Sequence, residues 1–282
     1  MPTVSLTMGN VHYEKAGPDS GRPVVFIHGY AMGSSLWRPL TERLAATGYS
    51  CIAPTWPLGA HTEPMREDSP LTIEAIAAMV DELLGELSLE DVVLVGNDTG
   101  GAIAQVVATS TPDRLGALVL TSCDAFEHFP PPILKPLIAA AKFAPAFTAA
   151  LQTLRTRLGR KRAYGALAHA DIDDLVTAWL EPALTSSEVR ADLRRLTASL
   201  NQQTTVKAGE RLDRFNKPAL IAWSQDDAFF PVQDGQRLAA TLPNARLELI
   251  ERARTFSMID QPDDLAGLIA GFAAGRADRR AA

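Results

Sequence analysis

The stretch 92–104 reads Val92-Val93-Leu94-Val95-Gly96-Asn97-Asp98-Thr99-Gly100-Gly101-Ala102-Ile103-Ala104. Its first half is a continuous apolar run, which predicts a buried strand, and the residues after Asp98 predict a helix. Gly96 and Gly100 stand two residues before and two after Asp98, where a sharp turn from strand to helix leaves almost no room for side chains. Such a turn pushes the Asp98 side chain out over the edge of the sheet, at the beginning of a helix whose dipole favours an anion.

Short apolar runs recur on both sides of this stretch and alternate with helical segments. We predict strands at residues 3–8, 11–15, 24–27, 49–53, 91–96, 118–121, 219–223 and 246–250. We predict helices at residues 36–47, 70–87, 99–110, 232–241 and 263–273. The first two strands are predicted to pair through a Gly9-Asn10 turn. Strands that alternate with helices in this way predict an α/β fold, with a mainly parallel sheet that carries helices on both faces.

The alternation stops between residues 125 and 210. This segment opens with Pro130-Pro131-Pro132 and continues with helical stretches rich in Ala and Leu, without a clear strand. We interpret it as a helical cap inserted between two strands of the main sheet. The predicted organisation is therefore an α/β core formed by residues 1–124 and 211–282, with a helical cap at 125–210.

Composition narrows the class of protein. The chain has 282 residues, of which 46% are hydrophobic and 21% charged, and its net charge is −6. This balance is typical of a globular protein and excludes a disordered chain or a coiled coil, and it argues against a nucleic-acid partner. Cys51 and Cys123 give neither zinc spacing nor a disulfide framework, so no metal is expected. Without a signal sequence or an apolar run long enough to span a bilayer, we expect a cytoplasmic protein with no membrane partner.

Four features together resemble the α/β-hydrolase fold superfamily along nearly the whole chain. They are His28-Gly29 after a buried strand, the turn at 96–100, the helical insertion, and residues 223–231 after a later strand. Most members carry Ser at the centre of this turn, the nucleophile elbow, whereas this chain carries Asp98. That residue resembles the branch of haloalkane dehalogenases and epoxide hydrolases, in which the carboxylate attacks carbon and forms an ester. The resemblance implies no cofactor. The alternative is that Asp98 only caps the helix.

The resemblance also implies where negative charge would be stabilised. The family uses two backbone N–H groups to form an oxyanion or leaving-group pocket, here those of Thr99 and Tyr30. Thr99 stands where dehalogenases usually have the Trp that holds halide, and Ala31 stands where epoxide hydrolases usually have Pro. Epoxide hydrolases also use two cap tyrosines as acids, whereas Tyr164 is the only tyrosine in this cap. Neither subfamily pattern is complete.

The sequence contains candidates for the acid of the family's triad but has no histidine at the position of its base. The resemblance favours Asp227 as the acid, with Asp124 or Glu127 as alternatives. The base should be a His just before an aromatic residue near the C-terminal helix, but Thr255 stands there, and no His occurs after the cap. We predict that His128, which lies close to two acids at the beginning of the cap, is the best-placed substitute.

A missing base should impair hydrolysis of the ester rather than its formation. We therefore expect a hydrolase that uses Asp98 as nucleophile on a small, mostly apolar haloalkane or epoxide, with impaired or unusual ester hydrolysis. Two alternatives remain: a lyase or isomerase in which Asp98 moves protons, and a non-catalytic small-molecule-binding protein on a hydrolase scaffold. The expected partner is a small-molecule substrate, and the sequence leaves the oligomeric state open. The basic run at 155–162 indicates either a solvated face or steering of an anionic substrate.

Overall fold

The computed structural model describes residues 1–274 and contains one sheet of eight strands. Residues 275–282 of the predicted core lie outside the described residues. The strands are β1 (Thr3–Leu6), β2 (Gly9–Ala16), β3 (Pro23–Ile27), β4 (Ser50–Pro54), β5 (Val92–Asp98), β6 (Leu115–Cys123), β7 (Ala219–Ser224) and β8 (Ala245–Ile250). Their order in the sheet is β1-β2-β4-β3-β5-β6-β7-β8. The two antiparallel pairs are β1 with β2 and β2 with β4, and all later neighbours run parallel.

Helices cover the sheet and fill the long insertion. They are α1 (Arg38–Ala46), α2 (Ile73–Glu86), α3 (Thr99–Ser110), α4 (Lys135–Ala141), α5 (Ala144–Gln152), α6 (Arg157–Tyr164), α7 (Asp173–Thr185), α8 (Ser187–Ser199), α9 (Gln203–Gly209), α10 (Val232–Thr241), α11 (Ser257–Asp260) and α12 (Pro262–Ala274). Short 3₁₀ turns lie at Ser34–Trp37, Phe126–His128, Pro132–Leu134, Thr153–Arg155 and Leu212–Arg214. No helix within residues 1–274 has the length and apolar character needed to cross a membrane.

The central strands are buried on both faces, which confirms the predicted α/β fold class. Every residue of β6 and β7 is buried, as is nearly all of β3 and β5. Helix α1 packs against α12, and α2 packs against α3. Pairing of β3 with β5 places Ile27 opposite Gly96. Residues 28–30 and Asp98 therefore emerge at the same edge of the sheet.

Two local predictions differ from the structure. The first hairpin turns at Thr7 and Met8 rather than at Gly9-Asn10, because Gly9 already pairs with Leu6 across the two strands. Helix α2 begins at Ile73 rather than at residue 70, because the Thr72 side chain accepts a hydrogen bond from the backbone N–H of Ala75. A side chain that satisfies one of the free N–H groups of the first turn marks the beginning of a helix.

The segment between β6 and β7 forms helices α4 to α9 and contains no strand. Helices α4 and α5 pack against each other and against α8, and α7 packs against α8. Helix α9 also contacts α3 of the core. This segment lies over the edge of the sheet at which Asp98 emerges, because its side chains share a cavity with Asp98.

Candidate active site

Asp98 lies at a strained turn between β5 and α3. Its backbone has φ 53° and ψ −133°, in a region that residues with a side chain rarely adopt. The glycines around it are required by space: a Cβ on Gly100 would lie 2.1 Å from the carbonyl oxygen of Ile27, and one on Gly96 would lie 2.6 Å from the carbonyl oxygen of Gly100. Strain of this kind persists only where surrounding contacts fix the backbone, and it concentrates at functional sites.

Two backbone N–H groups hold the Asp98 carboxylate. Oδ1 accepts a hydrogen bond of 2.6 Å from the N–H of Thr99 and one of 3.1 Å from the N–H of Tyr30. Gly29 allows this approach, because a Cβ there would lie 2.2 Å from the same oxygen. The two donors that the sequence singled out thus converge on one oxygen of the predicted nucleophile.

An apolar cavity of about 210 Å³ lies above Asp98. The core contributes Tyr30, Ala31, Met32, Asp98, Thr99, Phe229 and Phe230 to its wall, and the cap contributes mostly aliphatic side chains. Asp98 is the one residue with a carboxyl group among those that line the cavity. The cavity therefore fits a small, mostly apolar molecule placed against a carboxylate.

Two tyrosines line the cavity, and the hydroxyl of each forms a hydrogen bond. The Tyr30 hydroxyl lies 2.6 Å from Oγ1 of Thr197, which itself donates to the carbonyl oxygen of Leu193. The Tyr164 hydroxyl donates to the carbonyl oxygen of Ala31 over 3.1 Å. Burial raises the pKa of both phenols, so both remain protonated at neutral pH. Tyr164 is the hydroxyl that the cap contributes.

Asp227 lies beside the position that the sequence predicts for the base. Its Oδ1 accepts hydrogen bonds from the N–H groups of Phe229 at 2.8 Å and Phe230 at 3.0 Å. The same oxygen accepts a bond of 3.0 Å from the hydroxyl of Thr255. Thr255 is fully buried. The side chain at position 255 therefore faces the predicted acid, as the triad arrangement requires.

Three carboxyl groups lie near one another at this edge of the sheet: Asp124 is buried, and Asp98 and Asp227 are half-buried. Burial, and then the charge of Asp227, raise the pKa of Asp98, while the N–H groups of Thr99 and Tyr30 lower it. Burial, and then the charge of Asp98, raise the pKa of Asp124 well above its ordinary value. Burial also raises the pKa of Asp227. Within residues 1–274 none of the three carboxyl groups forms an ion pair, so each proton is held more tightly than in water.

Asp124 is connected to the elbow through Thr99. The Thr99 hydroxyl donates to Oδ2 of Asp124 over 3.0 Å, and the Thr99 N–H binds Asp98. Oδ1 of Asp124 is buried without a hydrogen-bond partner in the described part of the chain. The alternative acid Asp124 is thus connected to the predicted nucleophile through Thr99.

His128 and Glu127 lie away from the cavity. Nδ1 of His128 is 2.7 Å from Oδ2 of Asp234, and the His128 side chain is largely exposed. Glu127 forms an exposed ion pair with Arg237. Neither lines the cavity that contains Asp98. The structure does not bring the proposed substitute base together with the predicted nucleophile.

The other histidines have structural contacts. His28 is fully buried, accepts from the backbone N–H of Trp56 and has its pKa lowered to about 4 by burial. It is therefore neutral at physiological pH. His12, His61 and His169 pair with Glu63, Asp192 and Asp226, respectively.

Asn97 is a positioning residue that the sequence analysis did not single out. Its amide nitrogen donates to the carbonyl oxygens of Thr255 and Ser122 and to the hydroxyl of Thr121. It thus fixes the loop that carries Thr255 to the strand that carries Asp98. A polar residue inside an otherwise apolar strand, directly before the nucleophile position, is the signal that could have identified it.

Comparisons with known proteins agree with the fold. A sequence profile of the family described as alpha/beta hydrolase fold matches residues 22–262. A 2-hydroxy-6-oxononadienedioate/2-hydroxy-6-oxononatrienedioate hydrolase of Paraburkholderia xenovorans is 28% identical over 278 residues, which cover 94% of this chain and 90% of that protein.

Solved structures show the same fold at lower identity. An alpha/beta hydrolase fold protein from Burkholderia ambifaria superposes with a TM-score of 0.81 at 22% identity, covering 95% of this chain and 96% of that one. A structure whose description reads "putative ancestral haloalkane dehalogenase" superposes with a TM-score of 0.79 at 20% identity, covering 98% of this chain and 99% of that one. At such identities the likeness concerns the fold alone.

Proposed function

The chain belongs to the alpha/beta hydrolase fold family, and on that premise we propose that it is an enzyme in which Asp98 attacks the electrophilic carbon of a small, mostly apolar substrate. The substrate class is a haloalkane or an epoxide. One observation carries the proposal: Oδ1 of Asp98 is held by two N–H donors while the carboxyl group borders an apolar cavity of about 210 Å³.

The reaction follows from that geometry. A carboxylate oxygen forms a bond to the substrate carbon as the carbon–halogen or carbon–oxygen bond breaks, and the leaving group departs with the bonding electron pair. The oxygen bound by Thr99 and Tyr30 then becomes the carbonyl oxygen of the ester. If water later adds to this ester, the same two N–H groups stabilise the oxyanion that forms.

Thr255 makes the second half of this reaction slow. Hydrolysis of the ester needs a base to deprotonate water, and such help contributes roughly 10²–10⁴-fold. A threonine hydroxyl does not supply it, and here the Thr255 hydroxyl donates a hydrogen bond to Asp227. We therefore expect the ester at Asp98 to form faster than it is hydrolysed, so that it accumulates.

Tyr164 favours an epoxide over a haloalkane within this class. Opening of an epoxide leaves an alkoxide, which needs a proton, and Tyr164 supplies a hydroxyl at the cavity wall. Its hydrogen bond to the carbonyl oxygen of Ala31 would be exchanged for one to the departing oxygen. Among the residues that line the cavity, none has an indole or amide N–H side chain of the kind that holds a halide.

Intact-protein mass spectrometry tests the proposal. The protein and its Asp98→Asn variant are incubated with a panel of small bromoalkanes and epoxides, with Asp226→Asn as the matched control outside the cavity. We expect a mass increase on the unmodified protein and on the control, but not on Asp98→Asn. Product without any adduct would show that the ester does not accumulate. Neither product nor adduct across the panel would contradict the proposal and leave the lyase or isomerase and the small-molecule-binding protein as the alternatives.

A second candidate is a lyase or isomerase in which Asp98 transfers a proton. The observation that favours it is the raised pKa of Asp98, which burial and the nearby Asp227 cause, because a carboxyl group with a raised pKa can act as a general acid near neutral pH. This reaction forms no ester. Incorporation of solvent deuterium into product, with no adduct at any time, would favour it over nucleophilic attack.

A further inference from the structure

One surface of the cap has a charge opposite to that of the whole chain. Residues 129–170, which we call the cap strip, contain seven basic residues and no Asp or Glu, although the net charge of the chain is −6. The basic residues are Lys135, Lys142, Arg155, Arg157, Arg160, Lys161 and Arg162. The cap strip is therefore a concentrated positive region on an acidic protein.

Only part of this charge is neutralised. Arg160 binds Asp173 with two hydrogen bonds, and Arg157 pairs with Asp171. The other five basic residues of the cap strip form no ion pair within residues 1–274, and all five are exposed. Most of the positive charge is thus available to an external partner.

The cap strip also carries exposed apolar side chains. Five large hydrophobic side chains are exposed among the described residues, and three of them are in the cap strip: Ile133 at 51%, Phe143 at 64% and Leu158 at 63%. Exposed aromatic and aliphatic side chains beside basic residues are typical of surfaces that bind at the interface of a membrane.

The elements of the cap strip are neighbours, and their inner side forms the cavity wall. Helix α4 packs against α5, and the 3₁₀ turn Thr153–Arg155 packs against both α5 and α6. Leu134, Leu137 and Leu154 line the cavity above Asp98. Ile133 both lines the cavity and is half-exposed. The cap strip therefore extends from the outer surface to the mouth of the cavity.

We propose that the cap strip docks on the surface of a bilayer that contains anionic lipids. Basic side chains are attracted to the anionic headgroups of such a surface, and apolar side chains that insert between headgroups add to this attraction. A soluble polyanion would use the charges but would gain nothing from Phe143 and Leu158. Docking would place the mouth of the apolar cavity next to the phase in which apolar molecules concentrate. The inference goes beyond the proposed reaction and does not depend on it.

This inference revises one expectation from the sequence. The absence of a membrane partner was expected because no segment is long enough to span a bilayer. Binding at the membrane surface needs no spanning segment, because charge and a few inserted side chains suffice.

Vesicle co-sedimentation tests the proposal with the full chain. The vesicles contain either phosphatidylcholine alone or phosphatidylcholine with about one third phosphatidylglycerol. We expect binding to the anionic vesicles, release by about 0.5 M salt, and little binding to phosphatidylcholine alone. The double variants Lys161→Gln/Arg162→Gln and Phe143→Ser/Leu158→Ser should each lower the partition coefficient by about tenfold.

Matched controls lie outside the cap strip. Lys207→Gln removes an exposed lysine of α9, and Leu249→Ser removes an exposed apolar side chain of β8, 42% exposed. Both should bind vesicles as the unmodified protein does, and melting curves establish that every variant folds. The proposal is overturned if anionic vesicles bind no protein, or if the controls lose as much binding as the cap-strip variants. It is also overturned if Phe143→Ser/Leu158→Ser retains full binding while heparin competes, because that result indicates a soluble polyanion.

Discussion

The hydroxyl of Thr255 lies 3.0 Å from Oδ1 of Asp227 and donates a hydrogen bond to it. The threonine therefore makes the contact with the acid that an imidazole would make in a complete triad. It preserves the position of the loop, which Asn97 also fixes through the carbonyl oxygen of Thr255, but it provides no group that can accept a proton from water. Under the proposed function, Asp98 would attack the substrate, and the step that releases the product would lack its base.

Replacement of Thr255 by His should restore ester hydrolysis. The imidazole would keep a hydrogen bond to Asp227 and add a base, so the adduct at Asp98 should disappear and turnover should rise by roughly 10²–10⁴-fold. Position 255 is fully buried, and the larger ring costs about 1–3 kcal/mol in packing. Time courses of intact mass and product measure both effects, and a melting curve reports the packing cost.

Thr255→Ser is the matched control for that experiment. It retains the hydroxyl and its bond to Asp227 but adds no base, so its adduct should persist as in the unmodified protein. Folded Thr255→His protein that keeps a stable adduct would contradict the interpretation that a missing base limits turnover.

Gly29→Ala should abolish ester formation. The added Cβ would lie 2.2 Å from Oδ1 of Asp98, so the carboxylate must leave the N–H groups of Thr99 and Tyr30. Loss of such donors costs about 10²–10³-fold in rate. The rate of adduct formation by mass spectrometry measures the effect.

Gly267→Ala provides the comparison for this glycine, because a Cβ at position 267 meets no atom within 4 Å. Its rate and its melting temperature should match those of the unmodified protein or exceed them slightly, since Ala favours a helix over Gly. A Gly29→Ala protein with an unchanged rate would show that the two N–H groups do not position Asp98.

Much of the fold could be predicted because its signals are local. The apolar runs at β5, β6 and β7 are buried strands. Gly96 is required by the close approach of β5 to α3, and Gly100 by the close approach of α3 to the end of β3. The predicted position of the hairpin turn was two residues too late, because Gly9 was taken as a turn residue. In the structure Gly9 is the first paired residue of β2. A glycine indicates that the backbone can adopt unusual dihedral angles, but it does not by itself indicate which residues pair across two strands.

The candidate site could be predicted only in part. The spacing around Asp98 and the position of Thr255 relative to the C-terminal helix are properties of the sequence, and the structure places Thr255 beside Asp227. The partner of His128 is Asp234, which is 106 residues away in the chain, so its contact depends on tertiary packing. The cavity wall also depends on tertiary packing, because residues of the cap and residues of the core form it together.

Tyr164→Phe should separate the two substrate types. Loss of the hydroxyl should slow ester formation from epoxides by roughly 10²-fold or more, because the departing oxygen loses its proton donor. Ester formation from bromoalkanes, whose leaving group needs no proton, should change by less than about threefold. Adduct rates with one epoxide and one bromoalkane of equal chain length measure the difference. An equal loss for both substrates would assign Tyr164 a role in packing only.

Ester formation should increase with pH as Asp98 ionises. Burial and the charge of Asp227 raise the pKa of Asp98, so the rise should occur above the ordinary range of an Asp side chain. Asp227→Asn removes the neighbouring charge and should move the rise to lower pH, whereas Asp226→Asn should leave it in place. The pH profile of the adduct rate measures this shift, and identical profiles for all three proteins would rule out coupling between Asp98 and Asp227.

Asp124→Asn should make the stability of the protein less sensitive to rising pH. Burial, followed by the charge of Asp98, raises the pKa of Asp124 well above its ordinary value. A carboxyl group whose folded pKa is raised contributes stability that is fully present below its unfolded pKa and is lost as the pH rises through the folded pKa. Asn cannot ionise and still accepts the hydrogen bond from the Thr99 hydroxyl. The free energy of unfolding of the variant, relative to the unmodified protein, should therefore rise with pH, by more than about 1 kcal/mol once Asp124 ionises.

Urea denaturation at several pH values measures this slope, and any pH-independent cost of the amide cancels from it. Asp68→Asn, at an exposed position, is the control and should give a flat difference over the same range; a flat difference for Asp124→Asn as well would show that Asp124 does not ionise at the cost of stability.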